Sequence, residues 1–198
     1  MIKTRPNPRF GELRELLASK PELLRPWSGT LFRFQTAEFP TPEDVLSGVG
    51  ARQRGGRWNP PGVSALYGST TDATALEESK ANDRYYGIVN RSPRLVVAVE
   101  ATLHRVLDLT SAAVRRQLGV TATELMAEDW RKLLEAGRES FTQALGRAAF
   151  QAEASGILAR SAARASGVNV VVFPGNLRAA ESLAVLEGKK LRRLAPKG

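Results

Sequence analysis

The chain has 198 residues, of which 42% are hydrophobic and 25% are charged, a composition that is typical of a globular protein and argues against intrinsic disorder. No apolar run is long enough to cross a bilayer, the N-terminus lacks the apolar segment of a secretory signal, and there is no cysteine, so we expect a cytoplasmic protein without disulfides. The formal net charge of +9 favours an anionic partner, either nucleic acid, an acidic protein or a phosphate-bearing small molecule.

Near the N-terminus, hydrophobic residues first follow an amphipathic helical pattern and then alternate with polar residues. Residues 9–26 are predicted to form one helix, closed by Pro21 and Pro26. Residues 30–36, TLFRFQT, alternate in the manner of a β-strand.

Arg33 lies inside this predicted strand, between two aromatic residues. Because side chains alternate along a strand, Arg33 points away from Phe32 and Phe34. If the two rings face the core, the guanidinium faces a surface or a cleft. An exposed strand position explains Arg33 equally well.

Residues 37–63 form a long predicted loop that contains GGRWNPPG at residues 55–62. Glycine lets backbone approach a ligand closely, and Arg57 could make a bidentate contact to a phosphate or carboxylate. The ring of Trp58 could shield or stack a ligand ring. The structural alternative is a turn capped by a buried tryptophan.

A short strand at residues 64–69 carries Tyr67 and is followed by a helix over residues 70–83. The helix carries Glu77 and Glu78. Adjacent helical residues point about 100° apart, so at most one of the two carboxylates faces a given pocket, and periodicity does not say which.

The second half mixes strands and helices irregularly. The pattern predicts strands at residues 94–101 and 168–173, a closing strand or hairpin around 182–194, and helices at 111–118, 121–136 and 139–154. Trp130 in the middle helix is predicted to pack in the core. This order indicates a single α+β domain with a small mixed sheet and flanking helices.

The common signatures of catalytic and metal sites are missing. There is no Walker loop, GxSxG, HExxH or CxxC, and the lone His104 cannot build a multi-histidine metal site. Ser161 has no visible base, so we expect it to donate or accept hydrogen bonds and not to act as a nucleophile. Three basic clusters lack the aromatic strand that stacks bases, which argues against direct nucleic-acid binding as the use of the charge. These clusters are Arg52/Arg54/Arg57, Arg115/Arg116 and Lys189/Lys190/Arg192/Arg193.

Several blocks occur in an order that resembles one family. Arg33 in an early strand is followed by GGRWNPPG and ALYGSTTDATALEE, and later by VLDLT, TQALGRAA, Ser161 and NVVVFP. From about residue 28 to at least residue 174, this order resembles the RES-domain toxins of bacterial RES–Xre toxin–antitoxin systems. The resemblance implies a RES domain over residues 28–198, preceded by a helical extension at residues 1–27.

The resemblance also implies a fold like that of the ADP-ribosyltransferases and a site that acts on NAD. By position, the catalytic residues would be Arg33, Glu78 and Ser161, with the family's spacing from the tyrosine selecting Glu78 over Glu77. The residues that bind NAD would be Arg33, Arg57, Trp58 and Tyr67. No metal is expected.

The expected reaction is cleavage of the bond between nicotinamide and ribose in NAD, by hydrolysis or phosphorolysis. Such a reaction builds positive charge on the ribose and releases neutral nicotinamide, so it needs anchoring cations, a ring and a nearby carboxylate. A protein mono-ADP-ribosyltransferase that uses the same site would need the same residues. A basic nucleic-acid-binding or ribonuclease-like protein and a catalytically silent relative are also compatible with the sequence. The expected partner is an Xre-like helix-turn-helix antitoxin that covers the active site.

Overall fold

One mixed sheet of six strands, most of which close into a barrel, organises the protein. The structure is a computed structural model that describes residues 4–38, 41–89 and 93–189. The strands are β1 (Leu24–Thr36), β2 (Leu66–Ser69), β3 (Arg94–Asp108), β4 (Gly156–Arg160), β5 (Val168–Val172) and β6 (Ser182–Val185). The helices are α1 (Phe10–Ser19), α2 (Pro42–Leu46), α3 (Val49–Arg54), α4 (Asp72–Tyr85), α5 (Ala112–Gln117), α6 (Ala122–Ala127), α7 (Trp130–Glu135) and α8 (Phe141–Gln151).

The sheet closes because its longest strands pair with each other. The strand order is β1-β2-β5-β4-β3-β6, and β3 also pairs with β1 along most of its length. Only β3 and β4 are parallel, and β6 adds to the side of β3. The prediction of a single α+β domain with a small mixed sheet is confirmed, and the closure of the sheet is a feature that was not predicted.

Closure gives the sheet two buried faces. The inner face carries Leu31, Leu66, Val99 and Val170, which form one hydrophobic cluster with Val45 of α2. The outer face carries a second and larger cluster. This second cluster packs against α1 and α8 and includes Leu107, Ile157, Val171, Phe173, Leu13, Leu17, Ala144 and Leu145.

The N-terminal segment differs from its prediction. Helix α1 ends at Ser19, Pro21 begins a 3₁₀ turn, and β1 starts at Leu24. Proline disfavours a helical conformation in the residue before it, and Lys20 leaves the helix accordingly. Pro26 lies at a register shift of β1, where a residue without an N–H group is tolerated.

The boundary predicted between residues 27 and 28 falls inside β1. Leu13 and Leu17 of α1 are fully buried in the outer cluster, beside α8. The extension therefore packs against the same core as the rest of the chain. Its assignment as a separate segment stays a prediction.

Two other segments refine or correct the sequence interpretation. The predicted loop at residues 37–63 contains α2, started by a capping box between Thr41 and Asp44, and α3. The predicted helix at 121–136 is two helices, because Asp129 caps a new helix through the backbone N–H groups of Arg131 and Lys132.

Trp130 is only half-buried, so its predicted place in the core was wrong. Strand β6 represents the predicted closing element. The remainder of that element and most of the basic cluster near the C-terminus, from residue 190 onward, lie outside the described residues. In the part of the chain that the structure describes, no helix is both long and apolar enough to span a membrane.

Gly146 of α8 is the point where this helix meets the backbone of the GGRWNPPG segment. A Cβ atom on Gly146 would overlap the carbonyl of Trp58. We therefore expect Gly146→Ala to lower the free energy of unfolding by about 1–3 kcal/mol or more, although alanine normally stabilises a helix. Gly11→Ala in α1, where nothing lies within 4 Å of an added Cβ, should be neutral or stabilising by up to about 1 kcal/mol. Urea denaturation of both variants tests this, and equal effects would contradict it.

Glu181 ties the segment before β6 to β3. Its side chain is 1% exposed and accepts hydrogen bonds from the backbone N–H groups of His104 (2.7 Å) and Arg178 (2.9 Å) and from Nη2 of Arg105 (2.9 Å). Burial alone would raise the pKa of Glu181, but these hydrogen bonds and one from Ser155 outweigh it and lower the pKa to about 2.

The lowered pKa of Glu181 makes stability depend on pH. The group has a pKa near 4.5 when unfolded, so its contribution of about 3 kcal/mol is present above pH 4.5 and is lost as the pH falls toward 2. The gap in unfolding free energy between the natural protein and Glu181→Gln should shrink over that range. Chemical denaturation at several pH values measures the gap, with the exposed Glu15→Gln as control. A gap that is constant down to pH 2 would contradict the assignment.

Candidate active site

Glu78 on α4 is held against the outer face of the sheet by two strands. Its Oε1 accepts a hydrogen bond from Oγ of Ser161 (2.7 Å), directly after β4, and from Nδ2 of Asn169 (2.6 Å) in β5. Oε2 of Glu78 makes no hydrogen bond to the described residues, and the residue is half-buried. One carboxylate oxygen is thus fixed while the other stays open to a ligand.

Ser161 uses its whole hydroxyl in this arrangement. Its proton is directed to Glu78, and its oxygen accepts from the backbone N–H groups of Ala163 and Arg164, each at 3.1 Å. A hydroxyl has one donor and two acceptor positions, and all are filled. Ser161 therefore holds one oxygen of the carboxylate and is not available as a nucleophile, and its part in catalysis stays a prediction.

Asn169 and Ser69 belong to the same network and were missed by the sequence analysis. Oγ of Ser69 donates to Oδ1 of Asn169 (2.8 Å), which leaves the amide nitrogen to face Glu78. The one signal in the sequence is an asparagine in an otherwise β-branched run, VNVVV, at residues 168–172. That signal does not identify the partners, which lie about 90 and 100 residues away.

Arg57 is the cation next to this carboxylate. It is half-buried, and its Nη1 donates to the carbonyl of Leu125 (3.2 Å). Burial lowers the pKa of Arg57, and the nearby charge of Glu78 partly offsets that effect. Arg57 and Glu78 therefore lie close enough for their charges to interact, and their roles in one site stay a prediction.

The hydroxyl of Tyr67 anchors the GGRWNPPG segment beside this pair. It accepts from the backbone N–H of Trp58 (2.9 Å) and donates to Oδ1 of Asn59 (2.7 Å). Burial raises the pKa of Tyr67. A Cβ on Gly56 would lie 2.5 Å from the Tyr67 oxygen, so this glycine is required for the contact. The ring of Tyr67 is only partly covered and lies beside Arg57.

Asn59 explains why a loop this rich in glycine and proline holds one conformation. It is fully buried, and its Nδ2 donates to the carbonyls of Ala51 (2.9 Å) and Val63 (2.8 Å). From α8, the side chain of Gln143 donates to the carbonyl of Gly56 (3.0 Å). The loop is thus held by buried polar side chains in place of regular secondary structure.

Trp58 does not line the site. The residue is 3% exposed and belongs to the outer hydrophobic cluster. The geometry therefore supports the structural alternative for Trp58, a buried tryptophan that caps the loop, and gives no support to its predicted contact with a ligand.

Arg33 lies on the other face of the sheet. Arg33 pairs in register with Val97, which belongs to the inner cluster. The neighbouring Phe32 pairs with Ser69, which bonds Asn169 on the outer face. Nη1 of Arg33 donates to the carbonyl of Val45 (2.8 Å) and its Nη2 to Oε1 of Gln35 (2.8 Å). Burial lowers the pKa of Arg33 to about 10. The structure does not bring Arg33 together with Arg57 and Glu78, and its catalytic role stays a prediction.

The outer-face site can therefore supply a fixed carboxylate with one open oxygen, a guanidinium and an aromatic ring. Among the described residues, no group of three or more histidine, cysteine, aspartate and glutamate side chains could hold a metal ion. Such a site suits a reaction that develops positive charge beside the carboxylate on a substrate that carries negative groups.

Known proteins share both the sequence pattern and the fold. A family model described as the RES domain matches residues 30–193. Proteins named NAD(+) phosphorylase MbcT from Mycobacterium bovis and Mycobacterium tuberculosis are 30% identical over 169 residues, covering 79% of this chain and 82% of theirs. A chain in the crystal structure of the M. tuberculosis MbcT–MbcA toxin–antitoxin complex aligns with a TM-score of 0.62 and 25% identity, over 92% of this chain and 98% of that one.

Tyr67→Phe tests the hydrogen bonds of the hydroxyl while keeping the ring. The change leaves the buried Oδ1 of Asn59 and the N–H of Trp58 without their partner, so we expect a loss of about 1–3 kcal/mol in unfolding free energy. Tyr86→Phe is the matched control because Tyr86 is 55% exposed. Equal stability of the two variants in urea denaturation would show that the hydroxyl of Tyr67 does not hold the loop.

Proposed function

The chain belongs to the RES domain family, and on that premise we propose that it is a toxin that cleaves the bond between nicotinamide and ribose in NAD. The relatives named NAD(+) phosphorylase and the structural neighbour from a toxin–antitoxin complex support this proposal. The observation that carries it is the carboxylate of Glu78, anchored through Oε1 with Oε2 open, beside the guanidinium of Arg57.

The chemistry of NAD fits a site with few proton-transfer groups. Its nicotinamide is a cation, so when the bond to C1′ of the ribose breaks, the electron pair moves to the ring nitrogen and nicotinamide departs neutral. No general acid is needed for the leaving group. Positive charge develops on the ribose instead, as in other glycosidic cleavages, and a nearby carboxylate stabilises it.

In this reaction, each residue of the outer-face site has a specific role. Oε2 of Glu78 faces the developing charge or a ribose hydroxyl, while Ser161 and Asn169 prevent the carboxylate from turning away. Arg57 attracts the negatively charged diphosphate, and the ring of Tyr67 packs against the substrate. The anchoring of Glu78 before the substrate binds is the preorganisation that electrostatic catalysis requires.

The acceptor is inorganic phosphate or water. When a phosphate oxygen attacks C1′, a C–O bond replaces the C–N bond and the products are nicotinamide and ADP-ribose 1″-phosphate. When water attacks, the products are nicotinamide, ADP-ribose and one proton. The name of the curated relatives favours phosphate.

Arg33 has an indirect part in this proposal. Through the carbonyl of Val45, it holds α2 at the inner face of the barrel. Its contacts therefore support the framework of β1 and α2 behind the site, whereas its predicted role as an anchor for NAD depends on a contact that the outer face does not provide.

We also propose that the fold corresponds to that of the ADP-ribosyltransferases. The support is the order of an arginine strand, a tyrosine strand and a helix bearing a glutamate, together with a mixed sheet that presents these elements. A protein acceptor would use the same site, and it would differ from phosphate and water in leaving an adduct on protein.

The partner that fits this reaction is a helix-turn-helix antitoxin whose acidic segment covers the Glu78 site. The net charge of +9 supports such a partner, as does the occurrence of the structural neighbour in a toxin–antitoxin complex. Opposite charges on the two proteins would accelerate their association.

Purified protein with NAD tests the reaction, with products identified by mass spectrometry in the presence and absence of inorganic phosphate. Nicotinamide release in both conditions, ADP-ribose 1″-phosphate only with phosphate, and no adduct on protein would support the proposal. Release of no nicotinamide by the natural protein would overturn it, and a protein adduct would favour the transferase.

Glu78→Gln tests the carboxylate. The variant keeps the size of the side chain but removes its charge, so we expect the rate of nicotinamide release to fall by about 100-fold or more. Glu77→Gln is the matched control, because Glu77 is the adjacent residue on α4 and pairs with Lys80 (2.9 Å). Glu77→Gln should retain near-natural activity, and similar rates for the two variants would contradict the role of Glu78.

A further inference from the structure

A second arginine, on α7, contacts α4 one helical turn away from the carboxylate of Glu78. Arg131, on α7, donates from Nη2 to Oδ1 of Asn82 (3.1 Å). Asn82 follows Glu78 by four residues on α4, so the two side chains share one face of the helix about 6 Å apart along its axis. Arg131 was not singled out in the sequence, and the proposed reaction gives it no part.

The guanidinium of Arg131 is held in place, but most of its N–H groups lack a hydrogen-bond acceptor. It lies over the rings of Trp130 (4.5 Å from the ring centre), Tyr85 (4.7 Å) and Tyr86 (5.8 Å). A guanidinium has five N–H groups, and within the described ranges only the one directed to Asn82 has an acceptor. Its Nε is buried without a hydrogen-bond partner.

The charges of Arg131 and Arg57 interact, and among the described residues neither guanidinium forms a direct ion pair. Among the residues that the structure describes, no carboxylate lies within 4 Å of either guanidinium. The nearby Asp129 accepts from the backbone N–H groups of Arg131 and Lys132 instead. Burial lowers the pKa of Arg57, the charges of Glu78 and Asp129 raise it, and the charge of Arg131 lowers it. Two neighbouring cations with unused N–H donors favour the binding of an anion between them.

We propose that Arg131 binds a phosphate group of the reactants, acting together with Arg57 beside Glu78. The aromatic rings fix the plane of the guanidinium, and its unused N–H groups match the oxygens of a phosphate. This inference rests on the proposed function, in which the phosphate comes either from the diphosphate of NAD or from the inorganic phosphate that attacks C1′.

Binding and kinetics of Arg131→Gln test the proposal. Calorimetry with ADP-ribose and with inorganic phosphate requires no turnover, so it examines Arg131 even if the protein does not cleave NAD. We expect at least a tenfold loss of affinity for one of the two ligands. In steady-state assays, KM for NAD should rise tenfold if Arg131 binds the diphosphate, and KM for phosphate should rise if it binds the attacking phosphate. In either case kcat should change much less.

Lys132→Gln is the matched control, because it removes the same charge from the next residue of α7, whose side chain is 77% exposed. It should bind both ligands as the natural protein does. Affinities of Arg131→Gln within twofold of this control for both ligands would overturn the proposal.

Arg131→Lys covers the case in which the glutamine variant does not fold. Lysine keeps the charge but lacks the planar set of donors, so the affinity should fall about threefold or more. Unchanged affinity of a folded Arg131→Lys for both ligands would also overturn the proposal. Failure of the natural protein to release nicotinamide, with affinities that still depend on Arg131, would instead overturn only the proposed reaction.

Discussion

The site depends on the pair of hydrogen bonds that Ser161 and Asn169 donate to one oxygen of Glu78. These bonds require α4 to bring Glu78 to β5 and to the residue after β4, and they require Ser69 to orient the amide of Asn169. A carboxylate that accepts two hydrogen bonds on one oxygen has little freedom to rotate. The rest of the outer face, including Arg57 and the ring of Tyr67, is arranged around that fixed group.

The loop at residues 55–62 shows how irregular backbone can be as well defined as a strand. Tyr67 of β2 and Gln143 of α8 bond the N–H of Trp58 and the carbonyl of Gly56, and Asn59 of the loop itself bonds the carbonyls of Ala51 and Val63 on either side. The loop therefore carries Arg57 on a rigid support. Trp58 packs in the core while the adjacent Arg57 lies at the site.

The sequence predicted α4 and every strand except β4 because their periodicity is local, and the order of the blocks identified the family. Alternation correctly set Arg33 opposite Phe32 and Phe34, but it could not assign a face to each, because a closed sheet buries both. Helical periodicity also left Glu77 and Glu78 equivalent. The choice between them is made by Ser161 and Asn169, more than 80 residues away in the chain. The unused donors of Arg131 and the burial of Trp58 depend on such distant contacts as well.

The closed sheet separates residues whose positions are fixed by the barrel from residues on segments outside it. Glu78 stands on a long helix, Asn169 on a strand with neighbours on both sides, and Ser161 directly after another such strand, so the barrel fixes their positions. Arg57 and Arg131 stand on a loop and on a helix of six residues that lie outside the ring of strands. Insertions or deletions between β3 and α8 can therefore change the surroundings of Arg131, and with them the proposed anion binding, while the framework that fixes Glu78 is kept.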